Sequence, residues 1–283
     1  MKKASLFIVL LIISSGFLLS AKEDKAMNFW QDNYCVQKTV KPPAENANRL
    51  QAKVDGKWQE YSLVSFPTAF GQWNKEKRLE YLDIIQEMSE KGPQATRKPP
   101  LSGPHNGIVA TYGTAREDSK FKLNNAVKGM GFLPKAEKIS EITDLLKATI
   151  NEDLNTKLKI LDSLYTNAED IFAPDRLISL ELYSTPEFTT QTFLNQMTNP
   201  ACVTVFLDIP TFKIKQIARI IHPNDPNLSS YEKNACQYVN LMHSYFHGDY
   251  GRDCLAVIYY NIEIYDSSPG KIGGRGTILT PHN

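Results

Sequence analysis

The sequence predicts an α+β protein in which a mixed sheet core is flanked by several helices. Residues 49–66 alternate apolar and polar side chains around Asp55-Gly56, which is typical of a β-hairpin with a tight turn. Residues 74–91 instead repeat apolar side chains every three to four positions, with Asn74 as the predicted cap, and this spacing indicates a helix. Together these two elements form a predicted N-terminal hairpin-and-helix accessory region. An even number of cysteines adds disulfides to the prediction.

The remaining elements are predicted by the same two periodicities and by the positions of proline and glycine. A segment rich in these two residues, at 92–107, is predicted to be a loop or linker. The predicted strands are 108–112, 177–183, 202–209 and 255–265. The predicted helices are 119–129, 138–150, 153–166, 186–197, 212–221 and 230–246. This order has no regular βαβ alternation and no glycine-rich phosphate loop.

Residues 1–21 have the layout of a secretory signal. Lys2 and Lys3 precede an apolar run at 6–19, and small residues end the segment at Ala21. We therefore expect a secreted or periplasmic protein that is cleaved near Ala21. The predicted organisation is a signal peptide at 1–21, the accessory region and linker at 22–104, and a main α+β domain at 105–283.

Composition excludes some classes of function and favours a cross-linked globular protein. Hydrophobic residues make up 42% of the chain and the formal net charge is +1, so neither global disorder nor DNA binding is indicated. After residue 21, no apolar run is long enough to span a bilayer, so no transmembrane segment is expected in the mature form. Cys35, Cys202, Cys236 and Cys254 predict two disulfides, with three possible connectivities, and Cys35 would tie down the N-terminal arm.

Two segments of the main domain combine aromatic, basic and hydroxyl side chains. The strand at 108–112 ends in Tyr112 and is followed by Arg116, and the later strand at 177–183 is followed by Ser184-Thr185. In these features the chain resembles the secreted mono-ADP-ribosyltransferase toxins of the cholera-toxin type. Three positions depart from that pattern. Gly113 stands where the family has arginine, and Pro186 stands where it has a second serine. Ser230 stands where the family has a glutamate or glutamine, two residues before the candidate catalytic Glu232.

The resemblance implies an enzyme that uses NAD as a substrate and transfers ADP-ribose to a protein or nucleotide acceptor. Ser184, Thr185 and Glu232 would be its catalytic residues, with Glu263 as the alternative carboxylate, and Tyr112 and Arg116 would contact NAD. Cleavage of the nicotinamide–ribose bond develops a cation like an oxocarbenium ion, which a carboxylate stabilises.

Two other functions are compatible with the sequence. His243 and His247 are four positions apart on a predicted helix, and with Asp249 they could hold a metal ion in a hydrolase, with His222 or Asp225 as a further ligand. The glutamate of an HExxH motif is missing from this helix. The other alternative is a non-enzymatic exported binding protein of the cell envelope. In that interpretation Ser184 or Thr185 caps a helix, and Ser229 with Glu232 forms a capping box.

Overall fold

A computed structural model describes residues 29–44, 47–114, 116–248, 250–271 and 276–280 of the chain. The predicted signal peptide at 1–21 lies outside the described residues. The strands are β1 (Trp30–Gln31), β2 (Tyr34–Cys35), β3 (Val40–Lys41), β4 (Arg49–Val54), β5 (Lys57–Ser62), β6 (Asn106–Tyr112), β7 (Leu123–Gly129), β8 (Gly131–Pro134), β9 (Phe172–Glu181), β10 (Ala201–Phe206), β11 (Phe212–Ile221), β12 (Leu255–Asp266) and β13 (Thr277–Ile278). The helices are α1 (Thr68–Lys91), α2 (Ile139–Thr149), α3 (Leu154–Thr166), α4 (Ala168–Ile171), α5 (Gln191–Thr198) and α6 (Ser230–His247).

The central element is a curled antiparallel sheet of eight strands. Its order is β7-β6-β10-β11-β12-β9-β8, and β13 pairs with β12. Only Met130 separates β7, which pairs with β6, from β8, which pairs with β9, so the sheet curls back on itself. An α+β fold is therefore confirmed, but the predicted mixed sheet is wrong, because each described strand pairing is antiparallel.

The hairpin and the long helix of the N-terminal region are confirmed. β4 and β5 pair around a turn in which Asp55 and Gly56 have φ values of 50° and 79°. Helix α1 begins at Thr68, after Pro67, rather than at the predicted cap Asn74. Asn74 is fully buried inside the helix, where its Oδ1 accepts a hydrogen bond from Arg78.

Helix α1 belongs to the hydrophobic core of the sheet. Phe70 and Trp73 contact Phe206 of β10 and Phe212 of β11, with ring centroids 5.1–5.8 Å apart. Buried side chains from both sides of the predicted boundary after residue 104 therefore form one cluster. The domain boundary itself stays a prediction. No helix within the described residues is both long enough and apolar enough to span a bilayer.

Two predicted helices are strands, and these predictions are wrong. Residues 119–129 contain β7, where seven residue pairs with β6 override a helical spacing of apolar side chains. Residues 212–221 form β11, and its last six residues, 216–221, are all buried, so both faces of the strand are covered there. Ile214 and Ile217 are therefore buried on opposite faces of the strand, and their three-residue spacing imitates a helix.

Most other elements lie close to their predicted positions, namely β6, β9, β10, β12, α2, α3 and α6. The helix predicted at 186–197 begins only at Gln191, because Thr190 caps it by accepting a hydrogen bond from the backbone N–H of Phe193.

The predicted disulfides are not formed, since all four cysteines are buried free thiols. The Sγ atoms of Cys202 and Cys236 face the backbone carbonyls of Gln216 and Ile221 instead. Burial raises the pKa of all four thiols, to about 12 for Cys35.

The N-terminal arm is held by a buried glutamine rather than by Cys35. The Gln37 side chain donates to the carbonyls of Gln196 and Ala218 and accepts from the N–H of Ile220.

Candidate functional site

The two segments singled out in the sequence meet at the N-terminal end of α5. The Asn195 side chain donates to Thr111 Oγ1 and accepts from the N–H of Thr114 at 2.9 Å. Arg116 donates to the carbonyl of Thr189 at 2.9 Å, so the loop after β6 is joined to the loop that follows Ser184.

Ser184 lies inside a closed polar cluster, which we define as Lys128, Glu181, Ser184 and Thr190. The Glu181 carboxylate accepts from Ser184 Oγ at 3.2 Å and from Thr190 Oγ1 at 3.1 Å, and it forms an ion pair with Lys128. Ser184 and Glu181 are each only 1% exposed. Their polar atoms are therefore occupied by protein partners and are shielded from substrates.

Thr185 and Arg116 stabilise local turns. Thr185 Oγ1 accepts from the N–H of Phe188, and Arg116 pairs with Asp118 at 2.8 Å while its guanidinium lies over the Phe188 ring. Gly113 stands where the toxin family has arginine, and a Cβ atom placed there would lie 2.6 Å from Thr198 Oγ1. No side chain fits at that position without a shift of α5.

Glu232 has the structural role that the capping-box interpretation predicts. Its Oε2 accepts from the N–H and Oγ of Ser229, and its Oε1 accepts from Arg219 at 2.9 Å. The carboxylate is 4% exposed at the start of α6. Its hydrogen bonds join the end of β11 to α6, and none of them reaches the loops that carry Arg116 or Ser184.

Glu263 and Tyr112 line one shallow, mainly apolar cavity of about 340 Å³ on the face of the sheet. Glu263 forms an ion pair with Lys215 at 2.7 Å and accepts from the hydroxyl of Tyr265. Of the predicted NAD-site residues, these two are brought together, while Ser184 and Glu232 lie in separate polar networks.

His243 and His247 lie side by side near the end of α6, with ring centroids 4.8 Å apart. Asp249 lies outside the described residues. Within the described part of the chain, no group of three or more His, Cys, Asp or Glu side chains is placed to hold a metal ion. His222 instead accepts from the N–H of Asn224 and contacts Trp30.

A cleft lies between α1, residues 99–106 and the end of α6. It consists of an outer cavity of about 560 Å³ and an inner cavity of about 350 Å³. The two cavities lie side by side, because they share six lining residues: Arg78, His105, Asn106, Tyr165, Phe246 and His247. Such volumes are typical of sites for small molecules.

Arg78 lies between the two cavities and is only 7% exposed. Its Nε donates to Asn74, and its Nη2 donates to the carbonyls of Pro104 at 3.3 Å and Met130 at 2.9 Å. The guanidinium also lies over the ring of Tyr165. Sequence analysis missed this residue, although a charged side chain four positions before Leu82 of the predicted apolar face was a usable signal.

His105 forms part of the cleft wall. This residue is exposed to solvent and lines both cavities. Its ring stacks on Tyr81, and a Cβ atom on Gly129 would lie 3.3 Å from the imidazole. Limited solvation in the cleft, followed by the positive charge of Arg78, lowers the pKa of His105 to about 4. Because it lies in a predicted linker, no sequence pattern marked it.

No protein-family model matches the chain, and no curated protein matches it at a significant level. The fold and the cleft therefore define only a class: an α+β protein whose curled antiparallel sheet carries a preformed cavity beside a buried arginine.

Proposed function

We propose that this chain is an exported binding protein that takes a small molecule with an apolar portion into the cleft. Export rests on the signal-like residues 1–21. The observation that carries the binding proposal is the pair of adjoining cavities, whose combined size suits a ligand of drug-like dimensions. Most of the exposed surface of the outer cavity is apolar.

A neutral fluorescent probe tests this proposal. N-phenyl-1-naphthylamine should bind saturably, at about one molecule per chain, because burial of its rings in an apolar cavity is favourable. Ile85→Trp should weaken this binding by about tenfold, because the larger ring fills the outer cavity that Ile85 lines.

Met88→Trp is the matched control, since Met88 lies one turn later on α1, is 40% exposed and does not line either cavity. This variant should bind the probe like the native chain. Absence of saturable binding, or equal loss in both variants, would overturn the proposal.

ADP-ribosyl transfer is a second proposal, favoured by the contact between the Arg116 loop and the loop after Ser184. It predicts that purified protein releases nicotinamide from NAD, and that Glu232→Gln or Glu263→Gln abolishes the release. Circular dichroism should show that each variant keeps the native fold. If no nicotinamide is released, the transferase proposal is wrong while the cleft proposal is unaffected.

A further inference from the structure

We infer that the ligand of the cleft is an anionic amphiphile, with a carboxylate or phosphate head at Arg78 and an apolar portion in the outer cavity. This inference rests on the proposed binding function and names the chemical class of its ligand. It follows from the hydrogen bonds, the charges and the lining of the two cavities.

The guanidinium of Arg78 has unused donors. Nε and Nη2 donate to Asn74, Pro104 and Met130, whereas Nη1 makes no hydrogen bond with any other described residue. Protein atoms do not fully enclose Nη1, so this nitrogen remains accessible from the cavity. Two N–H groups of a buried cation are therefore free to bind an acceptor.

The positive charge of Arg78 also has no counter-ion among the described residues. A buried charge is costly unless a group of opposite charge accompanies it. Carbonyl oxygens and the Tyr165 ring offset part of that cost, but they carry no full negative charge. An anionic ligand would supply the missing charge and form charge-assisted hydrogen bonds.

The inner cavity favours the anionic head. Arg78, His105, His243 and His247 line it, and no carboxylate does so within the described residues. The outer cavity is lined by two carboxylates, those of Glu80 and Asp208. Glu80 pairs with Lys77 at 2.8 Å, and Asp208 accepts from Trp73 at 3.0 Å. A ligand anion is therefore placed more favourably in the inner cavity than beside these carboxylates.

The outer cavity supplies the apolar wall. Helix α1, the loop before β6, helix α3 and the end of α6 all contribute lining residues to it. Its apolar lining residues are Leu82, Ile84, Ile85, Pro99, Pro100, Leu101, Leu154 and Phe246. Arg78 lines both cavities, so a head bound to its guanidinium leaves an attached chain pointing into this apolar space.

Four compounds with the same eight-carbon chain test the inference on the native protein by isothermal titration calorimetry. We expect octanoate and octyl phosphate to bind about tenfold or more tightly than octanol, because only an anion forms charge-assisted bonds with Arg78. Octyltrimethylammonium should bind least. The two anions distinguish a carboxylate head from a phosphate head.

The outcomes separate the two proposals. If octanol binds as tightly as both octanoate and octyl phosphate, the anionic class is wrong although the binding function stands. If none of the four compounds binds, and the naphthylamine probe does not bind either, the binding function itself is wrong.

Substitution of Arg78 provides the second measurement. Arg78→Gln should reduce the affinity for octanoate to that for octanol, while the affinity for octanol changes less than about twofold. Arg97→Gln is the control, because Arg97 pairs with Glu87 and does not line the cavities. Equal losses for octanoate and octanol in Arg78→Gln would contradict a head-group role. If this variant fails to fold, the compound series on the native protein decides.

Discussion

The closed polar cluster at the end of β9 and the cleft around Arg78 each bury a charged side chain, but the two side chains differ in their partners. In the cluster, both oxygens of Glu181 have donors, and Lys128 supplies the opposite charge. In the cleft, the guanidinium of Arg78 keeps an unused nitrogen and adjoins two cavities. Burial of polar residues therefore does not by itself indicate a binding site. The proposed binding role of the cleft depends instead on hydrogen-bond donors that have no protein partner and adjoin open space.

The largest expected effect is on the closed cluster. Lys128→Met should lower the free energy of unfolding by about 3–5 kcal/mol, because it leaves the Glu181 carboxylate buried without its counter-ion. Denaturant unfolding measures this loss. Adding Glu181→Gln should recover more than half of it.

Lys138→Met is the control for this prediction, since Lys138 pairs with Glu141 on the surface and should contribute less than about 1 kcal/mol. A small effect of Lys128→Met would mean that the cluster is not closed as described.

A smaller loss is expected at Arg78. Arg78→Met should lower the free energy of unfolding by about 2 kcal/mol, because two backbone carbonyls lose a donor but no carboxylate is left unpaired. The same unfolding experiment ranks this variant against Lys128→Met. A loss larger than that of Lys128→Met would reverse the comparison and make Arg78 the more important structural residue.

The two adjacent hydroxyl residues predicted as catalytic should differ in their effect on stability. Ser184→Ala should cost about 1–2 kcal/mol, because the N–H of Thr190 loses its acceptor and Glu181 loses a donor. Thr185→Ala, at a half-buried turn, should cost less than about 0.5 kcal/mol. Similar values for the two variants would argue against the buried network around Ser184.

At neutral pH the smallest expected effect is that of His105, because its contribution to stability changes only as the pH falls. Its folded-state pKa is about 4 and its ordinary pKa is 6.5, so the unfolded chain binds more protons between these values. Stability should therefore fall as the pH drops from about 6.5 towards 4. His105→Gln should remove this part of the slope.

Nuclear magnetic resonance titration checks the cause of that shift. Arg78→Met should raise the pKa of His105, because the charge of Arg78 contributes to lowering it. The pKa of His222 is lowered by burial and not by Arg78, so it should not change. A His105 pKa near 6.5 in the native chain would mean that the cleft does not limit solvation of the imidazole.

Local patterns predicted much of the secondary structure. The Asp55-Gly56 hairpin, the long helix α1 and the capping box of α6 depend on neighbours within a few residues, and all three are found. Strands β7 and β11 were predicted to be helices, because their pairing partners come from other parts of the sequence and β11 is buried on both faces over residues 216–221.

The candidate sites were less predictable. His243 and His247 were placed correctly on one helix face, since a four-residue spacing determines that relation. Arg78 and His105 were missed, because their importance depends on a cavity that α1, β7 and α6 form together. The two disulfides were predicted from the even number of cysteines and the expected export of the chain. Neither feature shows whether two thiols lie close enough to form a bond, and all four are free.

By itself, the sequence determined an α+β chain with a signal-like start, a hairpin, long helices and the capping box of α6, because these depend on short-range periodicity and hydrogen bonding. Tertiary structure alone decided that the sheet curls back through Met130, that the thiols stay apart, and that Arg78 retains a free nitrogen beside a cavity. Those properties arise from contacts between residues far apart in the chain, which no local pattern encodes.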